Sequence, residues 1–205
     1  MATGLTITAI VAMITSSTPA LVQAILGNGI LFFGLLIVEL VMVWYLAAEV
    51  EKMSVPAATA TFIGYSALNG LTLSLIFLLY IATSIASTFA ITAGTFAVMS
   101  IYGYTTKRDL TSFGSLLFMG LIGIIIASII NMFFFNQTVY WIITYIGILI
   151  FVGLTAYDTQ RMKNMAMLGA EGTLEFRKEA IIGALALYLD FINLFLLLLR
   201  LNRQK

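Results

Sequence analysis

Long apolar stretches separated by short polar breaks run along the whole chain of 205 residues. A stretch of roughly 20 apolar residues crosses the ~30 Å hydrocarbon core of a bilayer as a helix, because each helical residue advances by ~1.5 Å. The pattern therefore predicts seven transmembrane helices. They are Ala2–Ser17, Ile30–Ala48, Ala57–Leu79, Ile85–Tyr104, Leu110–Phe134, Val139–Tyr157 and Ala180–Leu199.

The composition supports a membrane fold. Hydrophobic residues make up 61% and charged residues 9% of the chain, against roughly 25% charged in an ordinary globular domain. We predict an all-α polytopic membrane protein, with residues 1–205 as a single seven-helix domain in the lipid bilayer. The first segment is short and lacks the basic flank of a signal peptide, which predicts a start further upstream. The net charge of +1 predicts no nucleic-acid partner.

The sequence contains no Cys and no His. Their absence excludes disulfides, thiolate nucleophiles, zinc sites and Ser-His or Cys-His catalysis, so we expect no cofactor and no enzyme of these kinds. It also excludes the usual switch near neutral pH. Any pH sensing must therefore come from carboxylates that are buried or adjacent to one another.

The Lys and Arg residues of the short loops predict the orientation. Alternate loops carry seven cations, and the loops around Pro19, Ala82 and Gln137 carry none. Because cytoplasmic loops are enriched in Lys and Arg, the N-terminus is predicted to be cytoplasmic. The terminal cations Arg200, Arg203 and Lys205 oppose this, and either they lie outside or the last helix re-enters without crossing. The loop cations are Lys52, Lys107, Arg108, Arg161, Lys163, Arg177 and Lys178.

Three ionisable residues fall at membrane depth, where a charge costs ~2.5–3.5 kcal/mol even on the lenient insertion scale. Glu39 lies within the second segment, Asp158 at the end of the sixth and Asp190 in the middle of the seventh. Asp190 shares a helical face with Asn193 and Arg200, which predicts that the last helix lies inside the bundle.

Structural interpretations compete with functional ones at each of these positions. Asp190 could be a hydrogen-bonded structural carboxyl, Asp158 an interfacial residue, and Glu39 a protonated glutamate bonded to a neighbouring helix. Small and polar residues pack membrane helices closely. We expect packing faces at Ser84, Thr88, Thr92 and Thr95 and at Gly123, Ala127 and Asn131, with Asn69 and Asn131 as interhelical hydrogen-bond partners.

Two motifs resemble the closing signature of the Bax inhibitor-1 family, also called the transmembrane Bax inhibitor motif family. Residues 155–160 read TAYDTQ, and residues 186–195 read ALYLDFINLF. Residues 103–110, GYTTKRDL, resemble the bacterial members. The resemblance extends over essentially the whole chain, and the second motif is specific.

The resemblance implies a fold with the seventh helix central and an acid-sensitive calcium leak. In the family, two aspartates on the last two helices share a proton and control the pore, and they match Asp158 and Asp190. The family's glutamate of helix two matches Glu39. Calcium would be the transported ion, bound transiently by the two aspartates, in a bacterial inner membrane or, as the second choice, an internal eukaryotic membrane.

One departure from the family concerns a latch. Members with this latch place an arginine just after helix two to pair with the helix-six aspartate, whereas residues 49–52 here read EVEK. Lys52 is the cation available for that role, and an ammonium lacks the planar fork of arginine.

Two other functions remain open. The Tyr157-Asp158 pair resembles intramembrane aspartyl proteases of the presenilin type, but residues 187–190 read LYLD without the glycines that let a substrate approach. The family also includes bacterial members associated with a membrane-bound protease. A non-conducting modulator of such a protease, or of a cell-death partner, is therefore the principal alternative to a channel.

Overall fold

A computed structural model describes residues 1–168 and 173–202. Within these residues the chain is helical, with no strand, and helix makes up 88% of the structure. The tail cations Arg203 and Lys205, which bear on the orientation of the C-terminus, lie outside the described residues.

Nine helices form in the described part of the chain. They are α1 Ala2–Ser17, α2 Pro19–Leu26, α3 Gly29–Glu49, α4 Val55–Leu73, α5 Ile76–Leu79, α6 Ala82–Thr105, α7 Thr111–Phe133, α8 Gln137–Leu168 and α9 Leu174–Leu201.

Six spans among these residues are long and apolar enough to cross a bilayer, and α1 with α2 makes up to a seventh. The prediction of an all-α polytopic membrane protein is confirmed. The lipid-facing character is clearest in α3 and α7. In the most apolar 18-residue stretch of each helix, only 11% of the residues are buried. In the corresponding stretches of α8 and α9, 50% of the residues are buried, so these two helices contribute more to the internal packing than α3 and α7 do.

Two predicted boundaries were wrong. The loop expected around Pro19 is the helix α2, bent by 100° from α1, because proline at the first turn of a helix loses no hydrogen bond. The predicted third segment lies within one span, Val55–Leu79, which has a short break after Leu73 before α5. The largest error is in α8, which continues to Leu168 beyond the predicted end at Tyr157.

The extension of α8 has a simple physical cause. Residues 158–168 are polar enough to end a hydropathy signal, but they are rich in helix formers and contain no Gly or Pro. Asp158 therefore lies within a helix instead of at its end. In the same way α9 begins at Leu174, where the Thr173 hydroxyl accepts a hydrogen bond from the Phe176 N–H at 3.2 Å.

The described residues pack as two compact units. Unit 1 comprises Met1–Ile85 and the described residues of 169–188, and unit 2 comprises Ala86–Leu168 and the described residues of 189–205. Helix α9 thus contributes its first half to unit 1 and its second half to unit 2. The assignment of residues 1–205 to a single domain stays a prediction.

Unit 1 is built around Tyr188 and the crossing of α1 with α4. The Tyr188 ring is fully buried and meets the rings of Phe62 and Tyr65 edge to face, with centroids 5.7 and 5.8 Å apart. Its hydroxyl lies 2.7 Å from the Thr8 hydroxyl. Gly70 lies directly against the Thr8 carbonyl, so the absence of a side chain lets α1 approach α4.

Unit 2 has an apolar core between α7, α8 and the second half of α9. Phe191 adds edge-to-face contacts with Phe89 and Phe96 of α6, at centroid distances of 5.4 and 5.5 Å. Such pairs contribute about 0.5–1.5 kcal/mol each beyond simple burial. The central core residues are Leu117, Ile150, Phe151, Leu154, Leu194 and Leu197.

Of the predicted packing faces, the one on α6 is mostly buried, whereas the one on α7 is exposed at Gly123. Ser84, Thr88 and Thr92 are buried on α6, as expected. On α7 the prediction fails at Gly123, which is exposed and has no neighbour within 4 Å of the position of a Cβ atom. Helix α7 packs instead through Gly114 and Leu117, which contact Tyr157 and Gly153 of α8.

Candidate functional site

Asp190 lies in the second half of α9 and is only 4% exposed. The residues next to it, Phe191 and Ile192, are also buried, so this turn of α9 lies inside the packed protein. Removal of a carboxylate from water is expensive unless it finds a partner or a proton. The position of Asp190 therefore requires a specific partner.

The partner is Asp158 of α8, which lies in the same unit. The two carboxyl groups lie close enough for each to act on the other. The structure thus brings together the two aspartates that the sequence motifs singled out. Two carboxyl groups at this distance cannot both carry a charge cheaply.

One oxygen of the pair has no hydrogen-bond donor in the part of the chain that the structure describes. Oδ2 of Asp190 has no donor among the described residues. Ionised carboxylates offer only acceptors, so two of them cannot bond to each other. A proton on one carboxyl group would supply a donor for a hydrogen bond between them.

Close packing around α8 positions Asp158. The Gly103 Cα lies against the carbonyl of Ala156, and the Tyr157 ring lies against Gly114. A side chain at either glycine would collide with α8. These two contacts hold α6 and α7 against the turn of α8 that precedes Asp158.

Gln160, two residues after Asp158, also holds neighbouring segments together. The Gln160 side chain accepts a hydrogen bond from the Leu110 N–H at 2.9 Å and donates one to the Arg108 carbonyl at 2.8 Å. Both ends of this buried amide are therefore used to fasten the loop between α6 and α7 to α8. Sequence analysis missed this role, because nothing in the sequence pairs Gln160 with a loop about 50 residues away.

Arg161 is the cation that acts on Asp158, one helical turn along α8. Lys163 is directed elsewhere, because its Nζ donates to the Tyr104 carbonyl at 2.7 Å and lies 5.2 Å from the centre of the Tyr104 ring.

Glu39 belongs to a separate polar cluster in unit 1. It is half-buried on α3, and its Oε1 accepts a hydrogen bond from the Thr72 hydroxyl of α4 at 2.9 Å. Thr72 is also 3.0 Å from the carbonyl of Asn69. Glu39 therefore has an uncharged partner on a neighbouring helix, and its protonation stays a prediction.

The other predicted polar residues make local contacts. Asn69 donates to the Tyr65 hydroxyl within α4, and Asn131 accepts from the Asn136 N–H in the turn that follows α7. The prediction of interhelical hydrogen bonds is thus not met by either asparagine. Asn193 donates to the Leu189 carbonyl one turn earlier in α9, and Arg200 lies over the Tyr140 ring at 5.3 Å.

Lys52 has a neighbouring acid as its partner. Its Nζ lies 2.8 Å from Oε2 of Glu49, three residues earlier, and its side chain is 77% exposed. An exposed pair of this kind contributes little stability. The geometry gives Lys52 a local ion pair, and its assignment as a latch cation stays a prediction.

These features define a class of protein: a polytopic helical membrane protein whose unit 2 holds a buried carboxyl pair between two apolar helices. The model of the family described as inhibitor of apoptosis-promoting Bax1 matches residues 1–205. The chain belongs to this family, the Bax inhibitor-1 family.

Known relatives align with this chain over most or all of its length. The inner membrane protein YbhL of Escherichia coli K12 is 52% identical over 207 residues, covering 100% of this chain and 88% of YbhL. A protein of Borreliella burgdorferi is 46% identical over 205 residues, with the same coverage of both chains. A membrane protein of Streptococcus pyogenes serotype M1 is 40% identical over 182 residues, which are 88% of this chain and 77% of the relative.

Proposed function

We propose that this protein is a pH-sensitive calcium leak channel whose conductance is controlled by Asp158 and Asp190. The observation that carries the proposal is the pairing of these two carboxyl groups in unit 2, with Asp190 only 4% exposed. Membership of the Bax inhibitor-1 family supports the same function. The proposal requires no catalytic chemistry and no resident cofactor.

The control step is the gain or loss of the shared proton. With one proton present, the pair is a single hydrogen-bonded acid that holds α8 against α9. When the proton leaves, two negative charges face each other in a poorly hydrated site. The repulsion is relieved either by separation of the helices or by entry of a cation.

Calcium suits the ionised state of the pair. Ca²⁺ prefers carboxylate and carbonyl oxygens and takes six to eight of them. Two aspartates supply four carboxylate oxygens at most, so water or backbone carbonyls would have to complete the shell. A site with so few protein ligands favours brief occupancy, which conduction requires.

Calcium flux into liposomes containing the purified protein tests this function. Wild-type protein should admit Ca²⁺ at a rate that depends on pH, and Asp190→Asn should make the rate insensitive to pH. The asparagine amide can donate to Asp158 at every pH and so imitates the protonated pair. Protein-free liposomes measure the background leak.

The flux assay and a cleavage assay separate the proposal from its alternatives. A non-conducting modulator of a membrane protease or cell-death partner should leave permeability at the level of empty liposomes. An intramembrane aspartyl protease should cleave a reporter helix and lose that cleavage in Asp190→Asn. Permeability at the level of empty liposomes would refute the channel.

We also propose that the protein lies in a bacterial inner membrane with its N-terminus in the cytoplasm. The support is the loop asymmetry, in which Lys107 and Gln137 fall on opposite sides. Both positions are exposed in the structure, so single cysteines placed there in this Cys-free chain can react. A membrane-impermeant thiol reagent added outside should label position 137 and spare position 107, whereas the reverse result would invert the orientation.

A further inference from the structure

The loop between α6 and α7 carries two exposed cations, Lys107 and Arg108. This loop is held rigidly, although it lies at the surface. Gln160 fixes its backbone at Arg108 and Leu110, and the Arg108 N–H donates to the Thr106 hydroxyl at 3.3 Å. The two cations are therefore presented from a preformed backbone instead of a flexible segment.

The turn of α8 that holds this loop adds further positive charge. Arg161, which directly follows Gln160, is exposed. Lys163, one turn below the loop, binds the Tyr104 carbonyl at 2.7 Å. Four cations thus gather at one end of α6, α7 and α8.

The acidic residues near these cations already have partners. Oδ1 of Asp109 accepts from the N–H and the hydroxyl of Thr111, at 2.9 and 2.6 Å. These bonds hold the pKa of Asp109 below its usual range, so it stays ionised and directed at the start of α7. Asp158 pairs with Asp190. Among the described residues, no ion pair forms between a carboxylate and any of the three cations Lys107, Arg108 and Arg161.

The position of Lys107 and Arg108 relative to the membrane indicates what kind of partner they bind. The loop has only five residues, 106–110, between two spans that can cross the membrane. So short a connection keeps Lys107 and Arg108 at the level of the lipid headgroups. Tyr104 and Phe113, which flank the loop, are 59% and 47% exposed, as is typical of aromatic residues in the interfacial belt.

We propose that Lys107, Arg108 and Arg161 form a binding site for the headgroup phosphate of an anionic phospholipid. Arginine offers a planar fork of donors that matches phosphate oxygens, and lysine adds a point charge. Gln160 is a positioning residue, because it contributes no charge and holds the loop cations beside the α8 turn that carries Arg161.

Native mass spectrometry of the detergent-solubilised full chain tests the site. Wild-type protein should retain phosphatidylglycerol more tightly than phosphatidylcholine with the same acyl chains. Lys107→Gln/Arg108→Gln should weaken phosphatidylglycerol binding by about fivefold for each cation removed. The matched control is Lys52→Gln/Lys178→Gln, which removes two cations from unit 1 and should retain the wild-type preference.

A second variant separates position from charge. Gln160→Met keeps every charge and removes both loop contacts, so it should lower phosphatidylglycerol affinity and leave phosphatidylcholine affinity unchanged. If Gln160→Met does not fold, as judged by its thermal melt, the loop double variant decides alone. The proposal fails if the wild type does not distinguish the two lipids, or if the loop and control variants lose affinity equally. It also fails if soluble glycerol phosphate binds as tightly as phosphatidylglycerol, because the site would then serve a free anion.

Discussion

Units 1 and 2 each hold a carboxyl group at membrane depth, where it needs a polar partner, and the partner differs between the two units. In unit 1, Glu39 meets the hydroxyl of Thr72 at 2.9 Å. In unit 2, Asp190 meets the carboxyl group of Asp158. A hydroxyl can donate to a carboxylate or accept from a carboxylic acid, so it tolerates both protonation states. A second carboxyl group cannot, because the doubly ionised pair has no donor.

We expect this difference to give the two units different responses to pH. Thr72 can serve as a partner to Glu39 in either protonation state, whereas a hydrogen bond between Asp158 and Asp190 would require a proton on one of them. A change in pH should therefore alter the packing of unit 2 and leave unit 1 nearly unaffected. The experiments below test that contrast, from the largest expected effect to the smallest.

The largest effect is expected from the aspartate pair itself. Asp158→Asn and Asp190→Asn should each abolish the pH dependence of calcium flux, and the double variant should add little. Removal of either carboxyl group already destroys the coupling, so a double-mutant cycle should give an interaction of roughly 0.5–3 kcal/mol. Flux measured across a pH series in liposomes provides all four corners of the cycle. Effects that simply add would show that the aspartates act independently.

The next effect concerns the packing that positions Asp158. Gly103→Ala should destabilise the protein by about 1–3 kcal/mol, because its methyl group would collide with the Ala156 carbonyl of α8 and backbone cannot move aside cheaply. The thermal melt in detergent measures this loss. Since the contact lies two residues before Asp158, the pH of half-maximal flux should shift as well.

Two other glycines serve as matched controls. Gly94→Ala lies on the same helix with nothing within 4 Å of the new methyl group, so it should be neutral or stabilising by up to about 1 kcal/mol. Gly70→Ala should collide with the Thr8 carbonyl in unit 1, lower the melting temperature and leave the pH profile unchanged. A shift of the profile in Gly70→Ala would contradict the separate roles of the units.

The sequence predicted the helices through their apolar runs and singled out Asp158 and Asp190 through family motifs. The largest boundary error has a simple physical origin, because hydropathy records where lipid ends and not where a helix ends. Helix α8 therefore continues for 11 residues beyond the predicted end at Tyr157, and the charged segment 158–168 is helical. Two features depend on which helices pack together, which the sequence pattern alone does not specify. They are the hydrogen bonds of Gln160 to the loop between α6 and α7, and the approach of Gly103 to Ala156.

The smallest effect is expected at Glu39. Thr72 has one hydroxyl proton and two acceptors near it, Oε1 of Glu39 at 2.9 Å and the Asn69 carbonyl at 3.0 Å. A protonated Glu39 satisfies every group, because it donates to Thr72 while Thr72 donates to Asn69. Glutamine has nearly the same shape, and its amide donates in the same way. Glu39→Gln should therefore change the melting temperature little and alter flux less than either aspartate variant does.

The control for this variant is Glu39→Leu, which fills similar space but leaves Thr72 without its partner on α3. Flux and thermal melts of the two variants should be compared with wild type at the same pH values. Because Thr72 keeps the Asn69 carbonyl as an acceptor, even Glu39→Leu should retain the pH dependence that the unit 2 pair supplies. If Glu39→Gln flattened the pH profile as fully as Asp190→Asn, the proton sensor would extend into unit 1, and the contrast between a hydroxyl partner and a carboxyl partner would not explain it.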